Sequence, residues 1–206
     1  MNKPQPDSKT KLLDATLGLV RQKGYSATRV EDVCAAAGVT KGSFFHHFNS
    51  KEDLALTAVA HWDANTSSFF ASAPYHQPAD PLERLLAYID FRKAILTGGL
   101  ADYTCFAGTI VQENYQTHVD LSAACARNIT DHAKSLEDDI RKALKKYGVK
   151  GSWTATSLAL HIQAVIQGGF VLAKATGTSD VARETLDHLR RYLELLFGQK
   201  AARVEK

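Results

Sequence analysis

Residues 40–48, with the sequence TKGSFFHHF, combine side-chain types that can bind the edges of DNA bases. A lysine can donate to the O6 and N7 atoms of guanine, a serine can bond to either base type, and an aromatic ring can contact the methyl group of thymine. In a helix-turn-helix, such contacts come from the outward face of the second helix, near its N-terminus. We predict that this face consists of Thr40, Lys41, Ser43, Phe44 and His46.

A second group of residues is positioned to bind phosphates without selecting bases. Helix N-termini offer unpaired N–H groups and a positive dipole end to phosphate oxygens. Thr28 and Arg29 lie at the expected start of the preceding helix, and Lys51 lies at the expected start of the following one. His47 comes at the end of the recognition helix. These four residues are predicted to fix the position of the protein on the DNA.

The aromatic and histidine residues of the segment have alternative roles. Phe45 and Phe48 are expected mainly in the core, because a three-helix domain needs large apolar side chains, and a DNA-backbone contact is the alternative for Phe45. The pair His46 and His47 invites a metal interpretation, but adjacent helical residues point about 100° apart. We therefore predict no metal site and no cofactor.

Capping signals place the segment in a helix-turn-helix. Thr28 with Glu31 three residues later gives the capping-box pattern that begins a short helix. Gly38 breaks that helix, and Thr40 is placed to cap the next one. Similar signals predict helix boundaries at Ser8, Gly24 and Ser50.

Basic charge is concentrated in the first quarter of the chain. The whole chain of 206 residues carries a formal charge of +3, whereas residues 1–51 hold eight Lys or Arg and four Asp or Glu. A basic segment attached to a nearly neutral body is typical of a polyanion-binding module joined to a separate domain.

Helical periodicity without sustained alternation predicts an all-α protein. A proline-rich connection at residues 73–81 separates the first four helices from the rest. We assign residues 1–54 to a three-helix DNA-binding domain and 55–206 to a larger helical domain for ligand binding and dimerisation. The helices expected in the larger domain cover residues 81–97, 102–114, 117–147, 153–176 and 179–198.

The first quarter of the chain resembles the DNA-binding domain of the TetR family of repressors. The matching features are Gly24-Tyr25, Thr28, Ala36-Gly38-Val39, Lys41-Gly42-Ser43, aromatics at 45 and 48, and Ser50-Lys51-Glu52-Asp53-Leu54. The resemblance implies an all-helical homodimer that binds a palindromic operator and is released by a small molecule or an electrophile. It also favours repression, with activation as the alternative. Phe45 departs from the family pattern, which usually has Tyr there.

The segment from Gly98 to Glu113 is similar to one in the electrophile-sensing subgroup that includes the N-ethylmaleimide reductase repressor. This resemblance implies that Cys105 is a sensor. Because the thiolate is the nucleophile, such a cysteine needs a nearby cation, for which we select Lys174. The predicted sensor site comprises Cys105, Lys174, Tyr103, Phe106 and Trp153.

The alternative is a reversible pocket for a small, mostly apolar ligand, in which Arg92 or His161 binds a polar group. Its expected lining is Phe69, Phe91, Tyr103, Phe106, Tyr115 and Trp153.

The last two predicted helices carry apolar stripes at helical spacing. Since a palindromic operator needs two DNA-binding domains about 34 Å apart, we predict that these stripes form a four-helix dimer interface. Packing within one protomer is the alternative. The predicted interface residues are Leu158, Ile162, Val165, Leu186, Leu189, Leu193 and Leu196.

Other classes of protein fit less well. GxGxxG, P-loop, GxSxG and HExxH motifs are absent, so we predict no enzyme and no catalytic residues. No stretch approaches ~18 consecutive apolar residues, and the N-terminus lacks an apolar leader segment, so we expect a cytoplasmic protein without a membrane partner. A protein-interaction module remains an alternative, but steep salt dependence of DNA binding would exclude it.

Overall fold

The computed structural model describes residues 7–198, and every regular element in that range is helical. This confirms the all-α prediction. The helices are α1 (Ser8–Lys23), α2 (Val30–Ala37), α3 (Lys41–His47), α4 (Lys51–Ala71), α5 (Pro81–Ala94), α6 (Leu100–Tyr103), α7 (Phe106–Asn114), α8 (Val119–Lys134), α9 (Glu137–Tyr147), α10 (Ala155–Thr176) and α11 (Asp180–Leu196). A short 3-10 helix covers Pro74–His76.

The ends of the first four helices follow the capping signals with two exceptions. Asp7, rather than Ser8, caps α1 by accepting the Thr10 N–H at 2.7 Å. The predicted capping box at Thr28 is also wrong. Helix α2 begins after Arg29, whose N–H is accepted by Asp32 at 3.0 Å, so the box lies one residue later than expected.

Two of the long helices predicted in the rest of the chain are divided. The span 102–114 contains the end of α6 and all of α7, because the chain leaves helical geometry at Thr104 and Cys105. The span 117–147 contains α8 and α9, with a break at Ser135 and Leu136. Breaks of only two residues leave the apolar periodicity almost undisturbed, which explains why periodicity did not detect them.

The described chain packs as two compact units that differ from the predicted division at residue 54. Residues 7–68 and 104–129 form the first unit, and residues 69–103 and 130–198 form the second. The first unit is larger than the predicted three-helix DNA-binding domain, because residues of α7 and α8 complete its core. Ile110, Leu121 and Cys125 are fully buried in the same cluster as Leu12 and Phe44.

In the second unit, α10 packs along α11, and both helices contact neighbours within the unit. Five of the seven residues predicted for the dimer interface lie on the inward faces of these helices. They are buried inside a single protomer and cannot contact a second one, so the interface prediction is wrong for Leu158, Ile162, Leu186, Leu189 and Leu193. Val165 and Leu196 are half-buried, and their role in a dimer stays a prediction.

Helix α10 is long and apolar enough to cross a membrane by length and composition alone, a test that core helices of soluble proteins also pass. Less than half of its most apolar stretch is buried in the chain. The remaining apolar face is a feature that the fold of one protomer does not explain.

Asp80 caps α5 and connects it to α9. One carboxylate oxygen accepts the N–H groups of Leu82 at 2.8 Å and Glu83 at 3.1 Å, and the other accepts from Lys146 at 2.5 Å and Tyr147 at 3.0 Å. Burial raises the pKa of this carboxyl, but the four hydrogen bonds outweigh it and lower the pKa to about 2.

We expect Asp80→Asn to lower the free energy of unfolding at pH 7 by about 1–2 kcal/mol. Because the folded pKa lies below the unfolded value of 3.8, the contribution is complete above the unfolded pKa and is lost as pH falls toward about 2. The free energies of unfolding of the wild type and Asp80→Asn should therefore converge as pH falls, and urea unfolding of both between pH 7 and pH 2 measures this. Glu184→Gln, at an exposed position of α11, serves as control. A difference that is independent of pH would contradict the assignment.

Candidate nucleic-acid interface

Helix α3 is held by two phenylalanines one turn apart. Phe44 and Phe48 are buried in the core of the first unit, with their ring centroids 5.7 Å apart. Thr40 caps the helix as predicted, because its hydroxyl oxygen accepts the Ser43 N–H at 3.1 Å. One face of α3 is therefore fixed, and the opposite face is left in solvent.

That solvent face contains most of the predicted base-contacting residues. Thr40, Lys41 and His46 are exposed, and Ser43 is half-buried. The prediction for Phe44 is wrong, because its ring is fully buried and cannot enter a groove.

Phe45 takes the outward position instead. It was expected mainly in the core, but 61% of its surface is exposed and its ring meets the edge of Phe44 at 5.1 Å. The reason is helical geometry, since Phe44 and Phe48 share the inward face and a residue next to Phe44 points about 100° away.

Lys41 forms an ion pair with Glu31 of α2 at 2.5 Å. This hydrogen bond raises the pKa of Lys41, and the same contact lowers the pKa of Glu31. Both side chains are more than half exposed, so the pair contributes little stability. Lys41 thus stays protonated and can exchange this carboxylate for another acceptor.

Two of the predicted phosphate contacts keep an accessible position. Arg29 is exposed at the start of α2. His47 is half-buried, and its Nε2 lies 2.7 Å from the hydroxyl oxygen of Ser8 at the start of α1. His47 is the last residue of α3 and Arg29 directly precedes α2, and their contacts with phosphate stay predictions.

The other two residues predicted to contact phosphate, Thr28 and Lys51, bind groups within the first unit. Thr28 is buried and its hydroxyl donates to the Gly24 carbonyl at 2.6 Å, so the prediction of a side-chain contact with DNA is wrong. The Lys51 ammonium lies 4.2 Å from the centre of the Tyr25 ring and donates to the Ser26 carbonyl at 3.4 Å. Burial lowers the pKa of Lys51. A phosphate contact by Lys51 stays a prediction.

A contact between α7 and the turn that joins α1 to α2 was not predicted from the sequence. Glu113, near the end of α7, accepts the backbone N–H groups of Tyr25 at 3.1 Å and Ser26 at 2.9 Å. These two amides lie in the turn between α1 and α2 and are 88 and 87 residues away in sequence. A glutamate in a helix carries no sequence signal for so distant a partner.

Cys105 caps α7, and its sulfur accepts the Gly108 N–H at 3.3 Å. It is half-buried, whereas Cys34 and Cys125 are buried. Burial raises the pKa of both buried thiols, and that of Cys125 reaches about 12. Cys105 is therefore the most accessible of the three cysteines.

The other predicted sensor residues are divided between the two units. Phe106 is fully buried in the first unit and packs on Trp62 with ring centroids 6.1 Å apart. Tyr103, Trp153 and Lys174 belong to the second unit. The pairing of Lys174 with the cysteine stays a prediction.

Comparison with known proteins places this interface in a family. Residues 12–58 match the model for bacterial regulatory proteins of the tetR family, and residues 81–189 match the tetracyclin repressor-like C-terminal domain. The second match alone covers more than half of the chain.

Similarity over most of the chain extends to HTH-type transcriptional regulators. An uncharacterized HTH-type transcriptional regulator in the lacX 3' region of Lactococcus lactis is 26% identical over 94% of this chain and 96% of its own length. The HTH-type transcriptional repressor KstR of Rhodococcus jostii is 25% identical over 98% of this chain and 88% of its own.

The crystal structure of E. coli NemR in its reduced form has the same fold, with a TM-score of 0.76 and 19% identity over 95% of this chain and 100% of that chain. The matches cover both the helix-turn-helix and the helical domain that follows it. The chain therefore belongs to the tetR family of bacterial regulatory proteins, which are DNA-binding transcriptional regulators and not enzymes.

Proposed function

We propose that the chain binds a palindromic operator as a homodimer, represses transcription in the cytoplasm, and is released by a small molecule or an electrophile. The observation that carries the DNA-binding part is the solvent face of α3. It presents Thr40, Lys41, Phe45 and His46 outward, while two buried phenylalanines fix the helix from behind. Polar donors and an apolar ring on one short helix are the chemistry that major-groove recognition uses.

Two cations of the head are assigned different tasks. Lys41 is part of the outward face of α3 and is positioned to donate to a guanine. Arg29 is exposed at the start of α2, where a guanidinium can neutralise a phosphate. Removal of either cation changes the net charge by the same amount, so the two tasks can be separated by experiment.

Arg29→Ala is expected to weaken binding to operator and unrelated DNA alike, by roughly tenfold, and to reduce the slope of log K against log salt by about 1. Lys41→Ala is expected to weaken operator binding by a similar factor but to affect unrelated DNA less. Fluorescence anisotropy across a salt series measures the affinity and its salt slope, with DNA from upstream of the protein's own gene as the operator fragment. Lys145→Ala, an exposed cation of α9, should change neither. Equal effects of all three variants would contradict the assignment.

The dimer interface is assigned to the outer faces of α10 and α11. Leu160 and Val171 lie on one line of α10, because eleven residues make just over three complete turns. Tyr192 and Leu195 are exposed on α11, and the Tyr192 ring lies 5.2 Å from that of His161 on α10. Apolar side chains in an isolated protomer are best covered by an identical surface related by twofold symmetry. This face replaces the buried stripes expected from the sequence.

We expect Leu195→Glu to convert the dimer to a monomer and to reduce operator affinity by a hundredfold or more, because a monomer engages only one half-site. Leu195 is 67% exposed in one protomer, and Val119 on α8 is 68% exposed. Val119→Glu is therefore a matched control that should leave the dimer intact. Light scattering coupled to size-exclusion chromatography gives the mass. A dimeric Leu195→Glu protein would refute the assigned face.

Electrophile release is assigned to Cys105. The support is its accessibility relative to the other two thiols and its position as the cap at the N-terminus of α7. Alkylation adds a group to the sulfur that accepts the Gly108 N–H, so the start of α7 must rearrange around the added group.

Cys105→Ser should bind the operator as the wild type does, because a serine hydroxyl also caps a helix. Treatment with N-ethylmaleimide should release the wild type and leave this variant bound. A gel shift before and after treatment tests this, with Cys34→Ser as a control that should still be released. Release of Cys105→Ser to the wild-type extent would exclude this cysteine from the mechanism.

A reversible ligand site in the second unit is the alternative inducer site. The Arg92 guanidinium lies 5.0 Å from the centre of the Phe70 ring and 5.6 Å from that of Phe170, and Tyr103 lies 6.2 Å from Phe170. The Gln163 side-chain oxygen is buried without a partner among the described residues. Such groups suit a small ligand with an apolar body and a polar end. Ligand response in a variant lacking all three cysteines would favour this site.

A further inference from the structure

The turn between α1 and α2 sets the orientation of α2 and α3 relative to α1. Gly24 ends α1 with a φ of +87°, and α2 begins six residues later at Val30. Between them, the N–H groups of Tyr25 and Ser26 find their acceptors in the carboxylate of Glu113. We call these three residues the Glu113 clamp. An ionised carboxylate that accepts two N–H groups makes charge-assisted hydrogen bonds, which are stronger than neutral ones.

Contacts on both sides keep the turn against its supports. The Tyr25 ring is buried, with the Lys51 ammonium over its face and the His118 ring meeting it edge to face at 5.4 Å. His118 Nδ1 lies 3.5 Å from the Glu52 carboxylate. Lys51 and Glu52 begin α4, whereas Glu113 and His118 come from the end of α7 and the residues that follow it. The turn is thus enclosed by two separate parts of the first unit.

Gly24 leaves room for the carboxylate. A Cβ at this position would collide with the Glu113 side chain, and the positive φ also disfavours any residue with a side chain. The glycine therefore serves two needs at once: it ends α1, and it lets α7 approach the backbone of the turn.

We propose that Glu113 is a positioning residue for DNA binding: through the clamp, α7 fixes the turn that orients α2 and α3 before they meet the operator. The inference rests on the proposed function. An ordered turn lowers the cost of binding, because the head does not have to be immobilised when the complex forms. Coupling is reciprocal, so a movement of α7 that breaks the clamp weakens operator binding, and operator binding resists that movement.

The test compares Glu113→Gln, Glu113→Ala and Glu184→Gln. Removing one negative charge should by itself strengthen DNA binding slightly, and Glu184→Gln measures that effect. Despite the same change in charge, we expect Glu113→Ala to bind a DNA fragment from upstream of the protein's own gene about tenfold more weakly than the wild type. Glu113→Gln should fall between the two, because its amide oxygen can accept one of the two N–H groups.

Amide hydrogen exchange provides a readout that needs no DNA. Glu113→Ala should accelerate exchange at Tyr25 and Ser26. The Phe48 amide, which donates to the Phe44 carbonyl at 2.9 Å outside the turn, serves as an internal reference for a folded helix-turn-helix. If the wild type binds DNA but Glu113→Ala matches Glu184→Gln in affinity and the wild type in exchange, the clamp is refuted and the proposed function stands. A wild type without salt-dependent DNA binding would instead refute the proposed function, and the role of Glu113 with it.

Discussion

A helix of seven residues is not stable by itself in water, and α3 must therefore be held by packing. Phe44 and Phe48 provide this, because both are buried in a core to which α1, α4, α7 and α8 contribute. Everything proposed for DNA recognition depends on this burial. It commits one face of α3 to the protein and leaves the other, with Lys41 and Phe45, to the solvent.

The same core explains why the head is not an independent three-helix domain. Ile110 of α7 and Leu121 of α8 are as deeply buried as the residues of the helix-turn-helix itself. The Glu113 clamp adds hydrogen bonds to this apolar contact. Helix α7 carries both the proposed sensor Cys105 at its start and Glu113 near its end, so the proposed signal and the turn before α2 meet within a single compact unit.

The sequence was sufficient to predict the helix-turn-helix, its caps at Thr40 and Ser50, and the family. Local chemistry decides these features. It placed Phe44 outward and Phe45 inward, the reverse of the structure, because two adjacent aromatics fit the same pattern and only the register of the packed helix separates them. The stripes of α10 and α11 were found correctly but assigned to the wrong partner, since a stripe does not say whether it packs on its own chain. Glu113 was missed because its partners are backbone amides almost ninety residues away.

The most direct test of the central claim is to titrate the isotopically labelled protein with a duplex of its own upstream region and to follow backbone amide shifts. Salt-sensitive shifts are expected to concentrate on residues 40–46 and on Arg29, while the amides around the buried Phe48 change little. Shifts confined to other parts of the chain, with the outward face of α3 unaffected, would contradict the proposed role of α3.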